Sequence, residues 1–452
     1  MRTSAIETIA AWSHSASAFS SLARRRAIDA IADTFGCMVA GIDDFSTQAV
    51  RRAVATQISA SGESPVIGGG RAPAAIAAMV NGTAAHALDY DDNFHPAISH
   101  ASAVLVPALL AAAWPMKISG RALVDAYLVG LEAQAAVGIG VNPSHYTAGW
   151  HSTSTCGAIG TAAGVSRLIG LDAAATARAM SMAVSLASGI KGQFGTPAKP
   201  FHAGMAARNA VEAAALGSAG MTGRFDILET AQGFRDLFGG PDTTGWDGLS
   251  LGQPLAIESH GVIPKRHPCC GSTHYVVDMV LELRAKHGFT ADDVAALDCL
   301  VGIANARNLG YPSPQDEMQA RFSMHYCVAL ALSQDRLNLA DFTPAMIARP
   351  QIRRLLTLTT MTARTREEEL AAKGGRLPHK VVIRLNDGTE LKAERVHAKG
   401  SMIDPFDEAD RVSKFSDCCA ARLGADTTAD LYSALSRLDE QANLDFLAPV
   451  LV

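Results

Sequence analysis

Six side chains suited to proton transfer are concentrated between residues 81 and 102. They are three histidines and three aspartates: His86, Asp89, Asp91, Asp92, His95 and His100. Histidine takes up and releases protons near neutral pH, and a carboxylate beside it fixes its tautomer or stabilises its cation. The cluster therefore indicates acid–base chemistry.

The backbone predicted for this cluster is a helix end followed by an ordered loop. His86 and Asp89 are three residues apart, so on a helix they would share one face. Pro96 prevents a regular helix from continuing, because its ring removes a hydrogen-bond donor and clashes with the preceding turn. We expect His95 and His100 to lie beyond the helix end.

Two other interpretations apply to the same residues. Aspartate often caps a helix and histidine is often a hydrogen-bonded spacer, so each residue taken alone has a structural interpretation. A metal site is the second alternative, since histidine and aspartate are good ligands. The sequence has no His-x-x-x-His or Cys-x-x-Cys pair to support one, and we predict no metal.

Three further stretches place polar side chains before a predicted helix: residues 145–155, 194–204 and 265–274. The free N–H groups at a helix start bind carboxylates. The first stretch contains His151 and a run of hydroxyls, although an ordinary capped helix start is the alternative. In the second, Lys199 is held in a loop between Pro197 and Pro200, where a fixed ammonium would bind an anion or stabilise an enolate-like charge.

The third stretch places Lys265 and Arg266 before a helix that begins near Ser272, which suits a second carboxylate. The adjacent Cys269 and Cys270 have no sequence feature that lowers a thiol pKa, so we predict a structural role rather than a nucleophile. Farther along, Tyr311 lies in a Gly/Pro loop and is a candidate proton donor, with a core or rim position as the alternative.

The composition excludes several classes of protein. Hydrophobic residues make up 48% of the 452 residues and charged residues 18%, which is typical of packed helices in a globular enzyme. The net charge of −5 argues against nucleic acid as a partner. The chain has no Gly-x-Gly-x-x-Gly, Walker or Gly-x-Ser-x-Gly motif, so nucleotide and serine-hydrolase chemistry are disfavoured. Eight cysteines without disulfide or zinc spacing, and no signal pattern or membrane span, predict a cytoplasmic protein.

Helices are predicted throughout the first half of the chain. Hydrophobic residues recur at helical spacing or Ala and Leu predominate in these segments: 20–41, 73–88, 101–114, 121–139, 161–188 with a turn at 170–172, and 203–216. No alternating strand is predicted before residue 237. Residues 238–254 are rich in turn formers and mark a boundary.

The predicted secondary structure changes after this boundary. Residues 381–385 and 389–393 flank Asn386-Asp387-Gly388, a strong hairpin signal. Further strands are predicted at 297–303 and 355–362, and helices at 272–286 and 322–333. The last fifty residues return to helix. We therefore predict a mainly α fold, with an all-helical domain from residues 1–254 and 399–452 and an α+β domain from residues 255–398.

Taken together, these stretches resemble the MmgE/PrpD family. The matching pieces are Asn-Gly-Thr-Ala-Ala-His-Ala-Leu-Asp-Tyr-Asp-Asp at 81–92, His100, Gly-Trp-His at 149–151, Ala-Lys-Pro-Phe-His-Ala-Gly at 198–204 and Pro-Cys-Cys-Gly-Ser-Thr-His at 268–274. They span nearly the whole chain in the family's order. The resemblance implies a large helical domain built from both chain ends, a smaller α+β lid domain and a homodimer. Its known activities are 2-methylcitrate dehydratase, cis-aconitate decarboxylase and iminodisuccinate epimerase, which work without an iron–sulfur cluster.

The resemblance also implies roles for individual residues. The residues matched to the decarboxylases' active site are Asp89, His100, His151, Lys199, Lys265 and Tyr311, of which Lys265 and Tyr311 belong to the lid. Asn93 stands where the decarboxylases have threonine, and Cys270 stands where they have a lid histidine; both differences would alter contacts with the substrate. We predict that the substrate is bound by Asn93, His95, His202, Lys265, Cys270 and His274.

Three functions remain open from the sequence. The first is a cofactor-independent lyase, with a dehydratase placed ahead of a decarboxylase, acting on a small polycarboxylic acid such as 2-methylcitrate or cis-aconitate. In it His100 or His151 removes a proton beside a carboxylate, and Asp89 orients or charge-balances an imidazole. The second is an epimerase that returns the proton to the opposite face. The third is a non-catalytic polycarboxylate-binding protein. The expected partners are a small polycarboxylate and a second copy of the chain, with no nucleic acid and no membrane.

Overall fold

The computed structural model describes residues 3–240, 243–372 and 375–451. The helices of the first half are α1 (Ala5–Ser15), α2 (Ser21–Ala40), α3 (Phe45–Ala53), α4 (Ala74–His86), α5 (Ala101–Ala113), α6 (Gly120–Ile139), α7 (Ser144–Ala148), α8 (Thr155–Leu168), α9 (Ala173–Leu186), α10 (Ala198–Ser218) and α11 (Ala256–Ser259). Those of the second half are α12 (Gly271–His287), α13 (Ile303–Asn308), α14 (Glu317–Arg321), α15 (Met324–Ser333), α16 (Pro344–Ile347), α17 (Pro350–Leu356), α18 (Arg366–Ala371), α19 (Glu408–Leu423), α20 (Ala425–Leu435) and α21 (Ala448–Leu451). The strands are β1 (Ser64–Pro65), β2 (Arg71–Ala72), β3 (Val294–Val301), β4 (Thr359–Ala363), β5 (His379–Leu385) and β6 (Glu390–Arg395).

One hydrophobic core joins helices from both ends of the chain. It contains Phe35 of α2, Leu105 of α5 and Phe415 of α19, all of them buried. Every residue of α5 is buried, as expected for a helix that is apolar on all sides. Among the described residues, α6 is the one helix long and apolar enough to cross a membrane, but 83% of its apolar window is buried inside the protein. It is therefore best explained as a core helix, and the predicted mainly helical fold is confirmed.

Two glycines allow α4 and α10 to approach each other closely, which positions part of the site. A Cβ added to Gly82 of α4 would lie 3.0 Å from the Cα of Gly204 of α10, and one added to Gly204 would overlap the backbone of Met79. Because only glycine tolerates this contact, the start of α10 lies beside the end of α4. Lys199, in the first turn of α10, therefore reaches the residues that follow α4.

The second part of the chain folds around a four-stranded sheet with the order β4-β3-β5-β6. Strand β3 pairs in parallel with β4 and antiparallel with β5. Strands β5 and β6 form the predicted hairpin, with Gly388 at a φ of +89° that suits glycine in a tight turn. Buried residues from the sheet and its helices, such as Leu297 of β3 and Leu330 of α15, form a separate core.

The two parts of the structure are joined beside the loop that follows α4. Asn93 of that loop exchanges two backbone hydrogen bonds with Ile263, at 2.8 and 2.9 Å. The connection from β6 back to α19 also passes close to this place. A Cβ on its Gly400 would lie 2.5 Å from the backbone oxygen of Pro264, the residue after Ile263. The loop and both connections thus lie together, while the domain limits given above stay a prediction.

Several element boundaries differ from the prediction. The helix expected from residue 203 begins at Ala198, so Lys199 lies in its first turn and not in a loop. Pro200 fits there because the first N–H groups of a helix have no intrahelical partner. Residues 355–356, predicted to start a strand, instead end α17, and β4 begins only at Thr359. The first half also contains the two-residue ladder of β1 and β2, which was too short to predict from alternation.

Candidate active site

Asp89 is held between two buried lysines. Lys199 Nζ donates to Asp89 Oδ1, while Lys265 Nζ lies 3.0 Å from Oδ2 and donates to the Asp89 backbone oxygen at 2.8 Å. Burial alone would raise the pKa of Asp89, but the two ammonium groups outweigh it and hold this pKa well below its usual range. Asp89 is therefore ionised, and the three groups together carry a net positive charge.

The backbone at Asp89 also overturns one prediction. Helix α4 ends at His86, and Asp89 has a φ of +51°, in the left-handed region. His86 and Asp89 therefore do not share a helical face, and that prediction is wrong. His86 contacts Asp91 instead.

Asp91 lies between two imidazoles. His86 Nδ1 is 2.9 Å from both carboxylate oxygens of Asp91, and His100 Nδ1 is 3.3 Å from Oδ2. Burial raises the pKa of Asp91, but the opposite effect of His86 and His100 is larger. The pKa of Asp91 therefore lies well below its usual range. The nearest approach of Asp89 to the His100 ring is 4.0 Å, at Nε2. The structure therefore gives the orienting contact on His100 to Asp91.

The hydrogen bonds of His100 fix its tautomer. Its Nδ1 lies 2.8 Å from the Asp92 backbone oxygen, which can only accept a hydrogen bond. We infer that Nδ1 carries the proton, so that Nε2 of the neutral ring has a free lone pair. Burial lowers the pKa of His100, Asp91 opposes this, and Lys265 and Lys199 lower it further. His100 is thus neutral at pH 7 and ready to accept a proton.

His151 completes a group of three imidazoles. Its ring centroid lies 5.8 Å from that of His86 and 6.4 Å from that of His100. Its Nδ1 is 3.1 Å from Nδ1 of His202, while its Nε2 is buried and finds no partner among the described residues. Burial, followed by the charge of Lys199, lowers the pKa of His151 well below its ordinary value. A neutral ring nitrogen is thus available on this side as well.

The second part of the chain contributes Lys265, Cys270 and His274. His274 Nε2 lies 3.2 Å from the Cys269 backbone oxygen, so this nitrogen carries a proton. Burial and the neighbouring Asp89 raise the pKa of Cys270. Cys270 therefore contacts the site as a neutral thiol and not as a thiolate nucleophile.

These groups line a cavity of about 230 Å³ between the helical part and the second part. The cavity brings together nine of the eleven residues predicted from the sequence: Asp89, Asn93, His95, His100, His151, Lys199, Lys265, Cys270 and His274. His202 is not among the residues that line the cavity; its Nδ1 contacts Nδ1 of His151, which does. The hydroxyl of Tyr311 donates to the Phe194 backbone oxygen at 3.3 Å, and Tyr311 is not among the residues that line this cavity; its role as a proton donor stays a prediction.

Other lining residues are not singled out by the sequence. Tyr146 lies in the polar stretch 145–155, yet only the structure shows its ring against the cavity, with Lys191 Nζ 3.6 Å from the ring centroid. Burial raises the pKa of Tyr146, so its hydroxyl stays protonated. Asn308, the last residue of α13, and Arg376, which precedes β5, also line the cavity. No local motif could have identified them, because their positions depend on how the two parts of the chain meet.

The site also contains a group of possible metal ligands. His86, Asp89, Asp91 and His100 each offer one ligand atom, and these atoms lie within 4.8 Å of one another. However, the carboxylate of Asp89 already faces the ammonium groups of Lys199 and Lys265. A divalent cation would be placed against two positive charges, so the donor set does not fit a metal. The lysines suit an anionic ligand.

Comparisons with known proteins agree over most of the chain. The family model of the MmgE/PrpD N-terminal domain matches residues 7–247, and that of the C-terminal domain matches residues 267–439. Human cis-aconitate decarboxylase is 28% identical over 396 residues, which cover 84% of this chain and 80% of that protein. The mouse enzyme of the same name is 28% identical over 393 residues, covering 84% and 79%. The Aspergillus terreus enzyme is 24% identical over 338 residues, covering 70% and 68%.

Proposed function

Because the chain belongs to the MmgE/PrpD family, we propose that it is a lyase acting on a small tricarboxylic acid such as cis-aconitate or 2-methylcitrate. In this proposal it moves a proton at a carbon beside a carboxylate and needs no cofactor. The observation that carries the proposal is a cavity in which neutral imidazoles lie next to two buried lysines. This combination provides a proton acceptor and stabilises negative charge at the same place.

The lysines would bind the substrate and stabilise the charge that develops on it. An ammonium group has three donors, and Asp89 accepts only part of those of Lys199 and Lys265. The remaining donors can bind a substrate carboxylate. When the adjacent carbon gains negative charge, that charge spreads onto the carboxylate as an enolate. Ammonium groups fixed beside the position where the charge develops stabilise it.

His100 would transfer the proton. Its side chain is 15% exposed and lines the cavity, so a ligand can reach Nε2. In a dehydration, Nε2 takes a proton from carbon, the electron pair of the C–H bond stays on carbon, and hydroxide leaves with a proton from an acid. In a decarboxylation, Nε2 first takes up a proton from solvent; the C–C bond to a carboxylate then breaks, CO₂ leaves with the carboxylate carbon, and the electron pair left on the substrate takes that proton from the ring, which returns to its neutral form. The same group serves both reactions.

The comparisons favour testing decarboxylation first. The relatives reported above carry the name cis-aconitate decarboxylase, so cis-aconitate is the first substrate to offer. Asn93 and Cys270, which differ from the residues expected of a decarboxylase, both line the cavity. Their neutral side chains would change the contacts of the substrate. For this reason 2-methylcitrate is tested beside cis-aconitate.

Proton NMR of the purified protein in D₂O, with citrate, 2-methylcitrate, cis-aconitate and iminodisuccinate in turn, tests the proposal. New vinylic signals or released CO₂ would identify a lyase and its substrate. A matched His100→Gln variant should lose the reaction while keeping its fold. Folded wild-type protein that leaves all four compounds unchanged would contradict the proposal, and thermal stabilisation by the same compounds would then indicate a binding protein.

One observation favours an epimerase as the second candidate. His100 and His151 are two neutral imidazoles with ring centroids 6.4 Å apart and nearly perpendicular planes. If the substrate carbon lies between them, one ring removes a proton and the other returns it to the opposite face. In the same NMR experiment, deuterium would then enter a carbon beside a carboxylate without elimination or loss of CO₂.

A further inference from the structure

Two groups lie directly behind His100 and away from the cavity. They are His86 and Asp91, whose side chains are 0% exposed. Asp91 contacts His86 Nδ1 at 2.9 Å and His100 Nδ1 at 3.3 Å. The centroids of the two imidazole rings are 4.4 Å apart. An ionised carboxylate is costly to bury without a compensating cation. Here its direct partners are two imidazoles that are neutral at pH 7.

We propose that His86 and Asp91 are positioning residues that set the proton affinity of His100. The inference rests on the proposed function, since it takes His100 as the group that accepts the proton. When Nε2 of His100 takes a proton from the substrate, the C–H electron pair stays on the substrate and the ring becomes an imidazolium. Its Nδ1–H donates to the Asp92 backbone oxygen, and the ring then carries a positive charge 3.3 Å from the carboxylate of Asp91.

The neutrality of His86 is the important feature of this arrangement. His86 Nδ1 reaches both oxygens of Asp91 and so fixes the plane of the carboxylate. Burial lowers the pKa of His86 to about 3, so this hydrogen bond adds no positive charge at neutral pH. A lysine or arginine at the same place would hold Asp91 equally well but would cancel its charge. His86 therefore orients Asp91 and leaves its charge available to His100.

Other charged groups near His100 also affect its pKa. Lys199 and Lys265 lie on the cavity side with Asp89 between them, and the centroid of the neutral His151 ring is 6.4 Å from that of His100. The lysines disfavour an imidazolium at His100, whereas Asp91 favours it. Changing Asp91 alone, with the lysines left in place, therefore isolates the contribution proposed here.

The pH dependence of turnover separates this role from a structural one. Asp91→Asn keeps the shape of the side chain but removes the charge. We expect kcat to fall by about 10–10²-fold, less than the 10²–10⁴-fold that a positioned acid–base group itself contributes. KM should change little, since Asp91 does not line the cavity. Because Asp91 raises the proton affinity of His100, the acid limb of the kcat/KM profile should move to lower pH. A uniformly lower profile with an unmoved limb would overturn the proposal.

Two variants of His86 provide the matched control. His86→Gln keeps an N–H donor for Asp91, whereas His86→Leu removes it at similar volume. We expect the leucine variant to lose kcat with KM unchanged, and the glutamine variant to recover at least about tenfold of that loss, as a charge-assisted hydrogen bond is worth 1.5–3 kcal/mol. Equal losses in both variants would contradict the role of the N–H group.

A measurement without substrate distinguishes failure of this inference from failure of the proposed function. Nitrogen-15 NMR of histidine-labelled protein reports the tautomer and pKa of each ring, and the signals of His100 are identified by their loss in His100→Gln. The wild-type ring should be protonated at Nδ1, and its pKa should fall in Asp91→Asn. A His100 pKa that is the same in both proteins would overturn the inference, whatever substrate the enzyme uses.

Discussion

Replacing Asp89 by asparagine tests the charge arrangement at the centre of the site. Asp89 is 2% exposed, and the side chains of Lys199 and Lys265 are 3% and 0% exposed. Lys265 Nζ and Asp89 Oδ2 are 3.0 Å apart. At this separation, opposite unit charges attract by about 5.5 kcal/mol if the effective dielectric constant is about 20. The substitution would leave two buried ammonium groups without their carboxylate.

We expect Asp89→Asn to lower the free energy of unfolding at pH 7 by about 3–5 kcal/mol, the range for removing one partner of a buried ion pair. Urea unfolding of the wild type and the variant measures this difference. The matched control is Asp335→Asn, because Asp335 is fully exposed and lies 3.6 Å from Arg284. That change should cost less than about 1 kcal/mol. Equal losses in the two variants would refute the reasoning.

The same variant has a second expected property. Without Asp89 the two lysines lose their internal counter-ion, so a polycarboxylate should bind the variant more tightly than the wild type. Citrate should then raise the free energy of unfolding of Asp89→Asn by more than that of the wild type, because a ligand stabilises the folded state according to its affinity. Equal stabilisation by citrate would show that the lysines do not contact the ligand.

Three further outcomes follow from the contacts of the site. His100→Ala should lose at least about tenfold in kcat while keeping its fold; wild-type turnover would show that His100 does not transfer the proton. Burial raises the pKa of Asp92 to about 7, against about 3.9 in an unfolded chain. The folded protein therefore retains this proton, and its stability falls as the pH rises from 5 to 7. Between pH 5 and 8 the wild type should lose roughly 2–3 kcal/mol relative to Asp92→Asn, a difference that urea unfolding at both pH values would detect and that parallel curves would contradict. Dialysis against EDTA should leave turnover unchanged. A loss of turnover that a divalent cation restores would show that His86, Asp89, Asp91 and His100 bind a metal.

The helices and the hairpin could be predicted because their signals are local. The period of hydrophobic residues determines a helix such as α2, and Asn386-Asp387-Gly388 determines the turn between β5 and β6. The strand predicted at 355–362 was partly wrong for an equally local reason. Pro350 at the first position starts a helix that extends through Leu356, and this start signal outweighs the apolar residues that favoured a strand.

The site was predicted less completely, because spacing along the chain does not give direction in space. Residue type and spacing do not distinguish Asp89, Asp91 and Asp92, and only the family resemblance singles out Asp89. The structure gives the three different partners: two lysines, two histidines and a serine. The left-handed backbone at Asp89 turns its side chain away from His86. Likewise, the position of Lys199 depends on the close contact of Gly82 with Gly204. These features become visible only when the helices are packed.

In this site Lys199 and Lys265 carry the positive charge, whereas His100 is the proposed proton-transfer group. Binding of a negatively charged ligand should therefore change the pH dependence of turnover. In the free protein, Lys199 and Lys265 help burial to lower the pKa of His100. A bound tricarboxylate would bring negative charge to these lysines and weaken their effect, so the pKa of His100 should be higher in the complex. The acid limb of kcat, which reports the complex, should therefore lie at higher pH than the limb of kcat/KM, which reports the free enzyme. Measuring both profiles on one substrate tests this; limbs in the reverse order would show that the lysines do not control the proton affinity of His100.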